Sequence, residues 1–226
     1  MPPADCVRRS CRGGPALFGD PTGDPLGKTE PGRHLYTRLV LFPMSHDHAI
    51  QVRFAGPDDV SAICAIVNHY IAHDTSNLRT EPQRESEWAH DLATYGGRFP
   101  WLVAVESGAV VGLAYAKPWN PRGAYDWTAE ATVYIAPGNT GKGIGSSLYG
   151  RLFKLLEQQG FRSVVAGVTS PNPGSEALHR AFGFRWVGKL DHAGYKFGTW
   201  YDVAYWQKDL AELADPPRPT TAPTED

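Results

Sequence analysis

Gly141, Gly143 and Gly145 follow the β-branched and aromatic run Ala131-Thr-Val-Tyr-Ile135 and precede an apolar stripe that starts at Ile144. The run reads as a strand broken by Pro137-Gly138, and the stripe reads as a helix. A glycine-rich turn between the two exposes N–H groups that no helical carbonyl satisfies, backed by the positive end of the helix dipole, which suits a phosphate. The plainer reading is an ordinary tight turn before a helix. Glu130 stands at the head of the run, where a carboxylate can act as a general base or be a solvated or ion-paired strand residue. Two nucleotide motifs fail on the turn. A Walker loop needs Ser or Thr after Gly-Lys and a Gly five positions before that Gly, whereas Lys142 is followed by Gly143 and position 136 is Ala. The dinucleotide fingerprint has another spacing and sits early in a βαβ unit, while this turn lies past mid-chain.

The surrounding pattern supplies the elements that would position these groups. Ile50–Phe54 alternates as a first strand, and Gly56-Pro57-Asp58-Asp59 is a helix start. Val60, Ile63, Cys64, Val67, Tyr70 and Ile71 then make one buried stripe. Glu85–Leu92 predicts a shorter helix, and Trp101–Val105 with Val110–Tyr115 a strand pair about Ser107-Gly108. A loop at Lys117–Ala124 precedes the strand Thr128–Ile135. The helix after the glycines buries Ile144, Leu148, Leu152, Leu155 and Leu156 and stops at Gly160. Ser163–Val168 is a continuous apolar run, hence a fully buried strand. Ser175–Phe182 predicts a short helix, and Phe184–Leu190 and Trp200–Gln207 the last strands. The order β-α-α-β-β-β-α-β-α-β-β implies an α/β (α+β) domain with a mixed sheet and helices on its faces.

Three segments follow from composition. Residues 1–49 hold seven Pro and six Gly, a composition expected to stay disordered, with a short strand possible at His34–Phe42. Met44 precedes the folded pattern and is an alternative start. The folded domain is expected over residues 50–209, and residues 210–226, with four Pro, as a flexible tail. The 226 residues carry a net charge of −2, which disfavours nucleic acid and anionic membranes as partners. Three cysteines, Cys6, Cys11 and Cys64, support neither a disulfide framework nor a zinc site, so a reducing cytoplasm and no metal are expected. No apolar run approaches the roughly 20 residues of a membrane span. Arg8-Arg9 lacks the apolar segment of a twin-arginine signal.

The element order and the segment Thr140-Gly-Lys-Gly-Ile-Gly145 resemble the GNAT superfamily of acyl-CoA-dependent N-acetyltransferases and its mixed, mostly antiparallel sheet. Asn68–Ile71, Arg79–Gln83, Pro100–Ala104, Ala124–Glu130 and Leu190–Asp202 narrow the resemblance to its phosphinothricin N-acetyltransferase family, from about Val52 to Gln207. The resemblance implies that the phosphate is the coenzyme A pyrophosphate, held by Thr140, Gly141, Lys142, Gly143, Ile144, Gly145 and Ser146, with Val133, Tyr134, Ile135 and Asn172 along the rest of acetyl-CoA. Relatives usually carry Gln or Arg where Thr140 stands. Weaker coenzyme binding is therefore expected, with Lys142 as a compensating charge.

For the chemistry, the resemblance makes Glu130 the general base, acting through water. Apolar neighbours such as Trp127 and Tyr134 are expected to raise its pKa by desolvation. His179, on residues alone a helix-packing histidine, becomes the second member of a Glu/His pair that either relays the proton or orients the amine. Tyr149, otherwise an aromatic at the edge of the stripe, becomes the acid for the thiolate. Backbone N–H groups around Val133 would polarise the acetyl carbonyl. Arg122 is the expected partner of an anionic group of the acceptor. Tyr115, Tyr125, Thr132 and Val203 match substrate-contacting positions, while Leu78 and Thr169 stand where relatives often carry Phe and Gly. The implied acceptor is phosphinothricin or demethylphosphinothricin, with herbicide and antibiotic resistance as the consequence. Methionine sulfoximine or sulfone is an alternative acceptor, and a non-catalytic acyl-CoA-binding module an alternative of another class. A homodimer is implied.

Overall fold

The computed structural model describes residues 49–224. The readings made above for residues 1–48, including the short strand at 34–42, Met44, Arg8-Arg9, Cys6 and Cys11, lie outside these. The observed elements follow the predicted order: β1 Gln51–Phe54, α1 Val60–His73, α2 Glu85–Tyr95, β2 Trp101–Glu106, β3 Ala109–Pro118, β4 Thr128–Ile135, α3 Ile144–Gln158, β5 Ser163–Ser170, α4 Pro173–Ala181, β6 Arg185–Lys196 and β7 Thr199–Asp209. They form one seven-stranded sheet in the order β1-β2-β3-β4-β5-β7-β6. All pairings are antiparallel except β4 with β5.

Helix α3 buries Ile144, Leu148, Leu152, Leu155 and Leu156, the stripe expected from a 3.6-residue period, and packs across β2, β3 and β4. Helix α1 contributes Ile63, Val67 and Ile71 to the same core and packs on β3 and β4. Each of these side chains, fully removed from water, is worth about 1.5–3 kcal/mol.

One stretch differs from expectation. The last two strands take in residues 191–196 and Thr199, where none was expected, and close in the two-residue turn Phe197-Gly198, both residues at positive φ. A register shift between Leu190 and Gly194, with His192 also at positive φ, breaks the alternation a sequence reading relies on. Among the described residues beyond Asp209 there is no helix or strand, and two side chains of the domain bond to this segment. Trp127 Nε1 donates to the Arg218 carbonyl at 2.6 Å, and Gln159 Nε2 to the Thr221 carbonyl at 2.7 Å. Among the described residues no helix is long and apolar enough to cross a membrane.

Candidate active site

Strands β4 and β5 pair only from Thr128–Glu130 to Ser163–Val165, and after Glu130 they part. The Ala136 N–H donates to Val111 on the β3 side, and N–H groups alternate along a strand, so Val133 and Ile135 turn theirs toward the opening. Tyr70 Oη reaches the Ile135 carbonyl at 2.6 Å. A cleft of about 440 Å³ occupies this splay, bounded by β4, β5, the glycine turn and the start of α4.

The turn is built as its composition demands. Gly138, Gly141 and Gly143 have φ of 80°, 78° and 80°, the left-handed region where a Cβ is costly. Gly143 caps α3 with no side-chain hydrogen bond, so donors of the first turn remain for a ligand.

Deeper in the cleft, Tyr149 is fully buried and His179 nearly so. His179 Nδ1 lies 2.7 Å from the Ser175 carbonyl, which can only accept, so Nδ1 carries the proton. Nε2 is then an acceptor, and Tyr149 Oη donates to it at 3.2 Å. Burial pushes the Tyr149 phenol far above its ordinary value and the His179 imidazole below its own.

A second cavity, of about 340 Å³, lies beside the first. Its floor is made by alternate residues of four strands: Tyr115 and Lys117 of β3, Glu130, Thr132 and Tyr134 of β4, Gly167 and Thr169 of β5, Val203 and Tyr205 of β7. Register sets Lys117 opposite Glu130 and Tyr115 opposite Thr132. Its walls come from Asn77, Leu78 and Arg79 and from Trp88 and Asp91 of α2. Burial pushes Tyr134 up to about 12, although Asn77 Nδ2 donates to its oxygen at 3.1 Å. The two cavities share Ser76, Thr132, Tyr134, Gly167 and Thr169.

Residues 52–205 match the family model described as acetyltransferase (GNAT) domain. Phosphinothricin N-acetyltransferase of Streptomyces viridochromogenes is 50% identical over 176 residues, covering 78% of this chain and 96% of that protein. The chain belongs to the GNAT acetyltransferase family. It is accordingly an N-acetyltransferase, and the fold class expected from its sequence is the one observed. L-methionine sulfoximine/L-methionine sulfone acetyltransferase of Salmonella typhimurium is 34% identical, covering 73% of this chain and 97% of that protein. The crystal structure of a GNAT superfamily phosphinothricin acetyltransferase from Sinorhizobium meliloti in complex with AcCoA superposes with a TM-score of 0.72 at 34% identity, covering 76% of this chain and 93% of that one.

Against this GNAT frame the residues singled out from the sequence divide into three groups. Val133, Tyr134, Ile135, Thr140, Gly141, Gly143, Ile144, Gly145, Ser146, Tyr149, Asn172 and His179 all line the cleft in the splay. Glu130, Leu78, Tyr115, Thr132, Thr169 and Val203 line the second cavity. Lys142, Arg122 and Tyr125 line neither. The Lys142 ammonium donates to Asn139 Oδ1 at 2.7 Å and lies 3.9 Å from Glu106. Arg122 and Tyr125 are exposed on a short turn before β4.

Glu130 is not isolated among apolar groups, as expected above, because Lys117 Nζ lies 3.4 Å from its Oε2. Nor do Glu130 and His179 form one hydrogen-bonded pair, since His179 bonds to Tyr149 and Ser175. Sequence reasoning passed over Arg79 and Asp91, which bring charge to the second cavity. Arg79 stands in a loop that carries no periodicity to orient it. Among the described residues no three His, Cys, Asp or Glu side chains are grouped to hold a metal ion.

Proposed function

We propose that this enzyme transfers the acetyl group of acetyl-CoA directly to the amino group of a small amino-acid acceptor of the phosphinothricin type. The observation that carries the reading is the junction of the two cavities across β4, with the uncapped glycine turn on one side and Glu130 on the other. Acetyl-CoA is the co-substrate. Its pyrophosphate meets the α3 N-terminus, and its thioester lies in the splay, where the Val133 N–H polarises the carbonyl. The acceptor enters from the second cavity and presents its amine at Thr132 and Glu130. Glu130 takes the ammonium proton through water, and the free amine attacks the thioester.

The nitrogen of the tetrahedral adduct then loses its second proton to water, the C–S bond breaks, and the thiolate leaves with that bond's electron pair. In the resting site the Tyr149 proton is donated to His179 Nε2; to stabilise the departing sulfur the hydroxyl turns from His179 to the thiolate, and because burial raises the phenol the proton stays on its oxygen. His179 orients Tyr149.

The relatives' names support the acceptor class: one acts on phosphinothricin, another on methionine sulfoximine and sulfone. Arg79, with a side chain that makes no hydrogen bond or ion pair among the described residues, suits an acidic group of such an acceptor. The site Arg122 would serve is then that of a second copy. A homodimer fits the outer strand β6 and its hairpin, where Trp186, Leu190, Tyr195, Phe197 and Trp200 are each more than half exposed. In the cytoplasm, masking the amine of a toxic amino acid would confer resistance.

The test is a kcat/KM panel with phosphinothricin, demethylphosphinothricin, methionine sulfoximine and methionine sulfone. The highest value is expected for a phosphinothricin-type acceptor. Preference for methionine sulfone would replace the acceptor. Acetyl-CoA binding by calorimetry without thiol release on any acceptor would replace the enzyme reading with a binding module.

A further inference from the structure

Lys196, the last residue of β6, is only 4% exposed, yet it is an ammonium. Among the described residues its hydrogen-bond partners are three backbone carbonyls: Asn77 at 2.6 Å, Asp74 at 2.7 Å and Tyr70 at 3.4 Å. Two of these belong to the segment that follows α1, and the third to the last turn of α1 itself. The Phe197 ring covers the ammonium, 4.7 Å from its centroid, and does so from a backbone φ of 51° that a bulky residue rarely accepts. Among the described residues no carboxylate lies within ion-pair distance of the ammonium, though the Asp74 carboxylate attracts it from farther away; burying such a charge is expensive, and the carbonyls that offset the cost all lie on one short stretch of chain.

That stretch lines the second cavity through Ser76, Asn77, Leu78 and Arg79. A second contact joins it to the same hairpin. Leu78 packs onto Gly194, where an added Cβ would lie 2.5 Å from Leu78 Cδ1. We infer that Lys196 is a positioning residue for the acceptor, holding residues 74–79 at the wall of the second cavity by gathering their carbonyls from the β6–β7 hairpin. The inference rests on the acceptor cavity proposed above and deepens it. The loop's own side chains shape it locally, with the Ser76 N–H donating to Asp74 Oδ1 and the Arg79 N–H to Asn77 Oδ1, and Lys196 adds a hold from another part of the sheet.

Lys196→Met in the full-length enzyme keeps the length of the side chain and removes the donor. The KM for phosphinothricin should rise about tenfold, while the KM for acetyl-CoA and kcat stay within about twofold of wild type. Amide exchange of residues 74–79 should quicken and that of residues 140–149 should not. Gly194→Ala displaces Leu78 without touching the ammonium and should give the same split, which keeps the test open if Lys196→Met does not fold. Unchanged exchange at 74–79, or equal losses toward both substrates, would overturn the inference. Faster exchange at 74–79 in an enzyme that acetylates no amino acid would instead retain the latch and remove the acceptor reading beneath it.

Discussion

Tyr149 and His179 meet at 3.2 Å inside the splay of β4 and β5, and the carbonyl of Ser175 decides which of them donates. Because Nδ1 is committed to that carbonyl, the imidazole offers Nε2 as an acceptor and the phenol points its proton there. His179, which the family resemblance pairs with Glu130, lines the cleft in the splay, where it fixes the direction of a hydroxyl.

Tyr149→Phe tests this relationship. It leaves Nε2 of His179 buried without a partner, which should cost about 1–3 kcal/mol in urea unfolding. It should also lower kcat more than it raises the KM for the acceptor. Full stability with unchanged kcat would mean that the hydroxyl only fills space.

His179 also predicts a pH dependence of stability. Burial holds its folded-state pKa below the ordinary 6.5. As pH falls through 6.5 the unfolded chain takes up a proton that the folded chain does not, so this contribution to stability is complete above 6.5 and is lost from there down to the folded value. The slope of unfolding free energy against pH in that window should be smaller in His179→Gln than in wild type. Equal slopes would contradict the assignment.

Gly143→Ala isolates backbone conformation from sterics, because no atom lies within 4 Å of an added Cβ while φ is 80°. The strain is about 1–2 kcal/mol if the turn keeps its shape. Calorimetry should show a higher Kd for acetyl-CoA, about tenfold if the turn relaxes, with acceptor KM little changed.

Much of the fold was legible in the sequence, for local reasons. Five apolar residues at helical spacing defined α3, and an unbroken apolar run defined β5. The splay that makes the cleft was not, because it depends on where pairing between Glu130 and Val165 ends, a relation between distant residues. The partners of Lys142 are equally hidden: its place beside three glycines says nothing of Asn139 and the end of β2, toward which its ammonium lies. Register opposes Lys117 to Glu130, and no pattern in either strand announces it.

Arg79 and Arg122 offer a direct comparison, since only the first lines the acceptor cavity of its own chain. Arg79→Ala should raise the acceptor KM by at least about tenfold, the loss of a charge-assisted hydrogen bond. Arg122→Ala should change it by less. An equal rise, tracking the monomer–dimer balance in sedimentation, would bring Arg122 to the site from a second copy.

The claim on which the account turns is that acetyl transfer takes place beside Glu130, where the two cavities join, and the pH profile of kcat/KM for Glu130→Gln tests it most directly. The loss relative to wild type should be largest at low pH, where the acceptor is an ammonium, about 10²–10⁴-fold, and should shrink as pH approaches the pKa of the amine. Acetyl-CoA affinity should be unchanged. A profile parallel to that of wild type would place the proton transfer elsewhere.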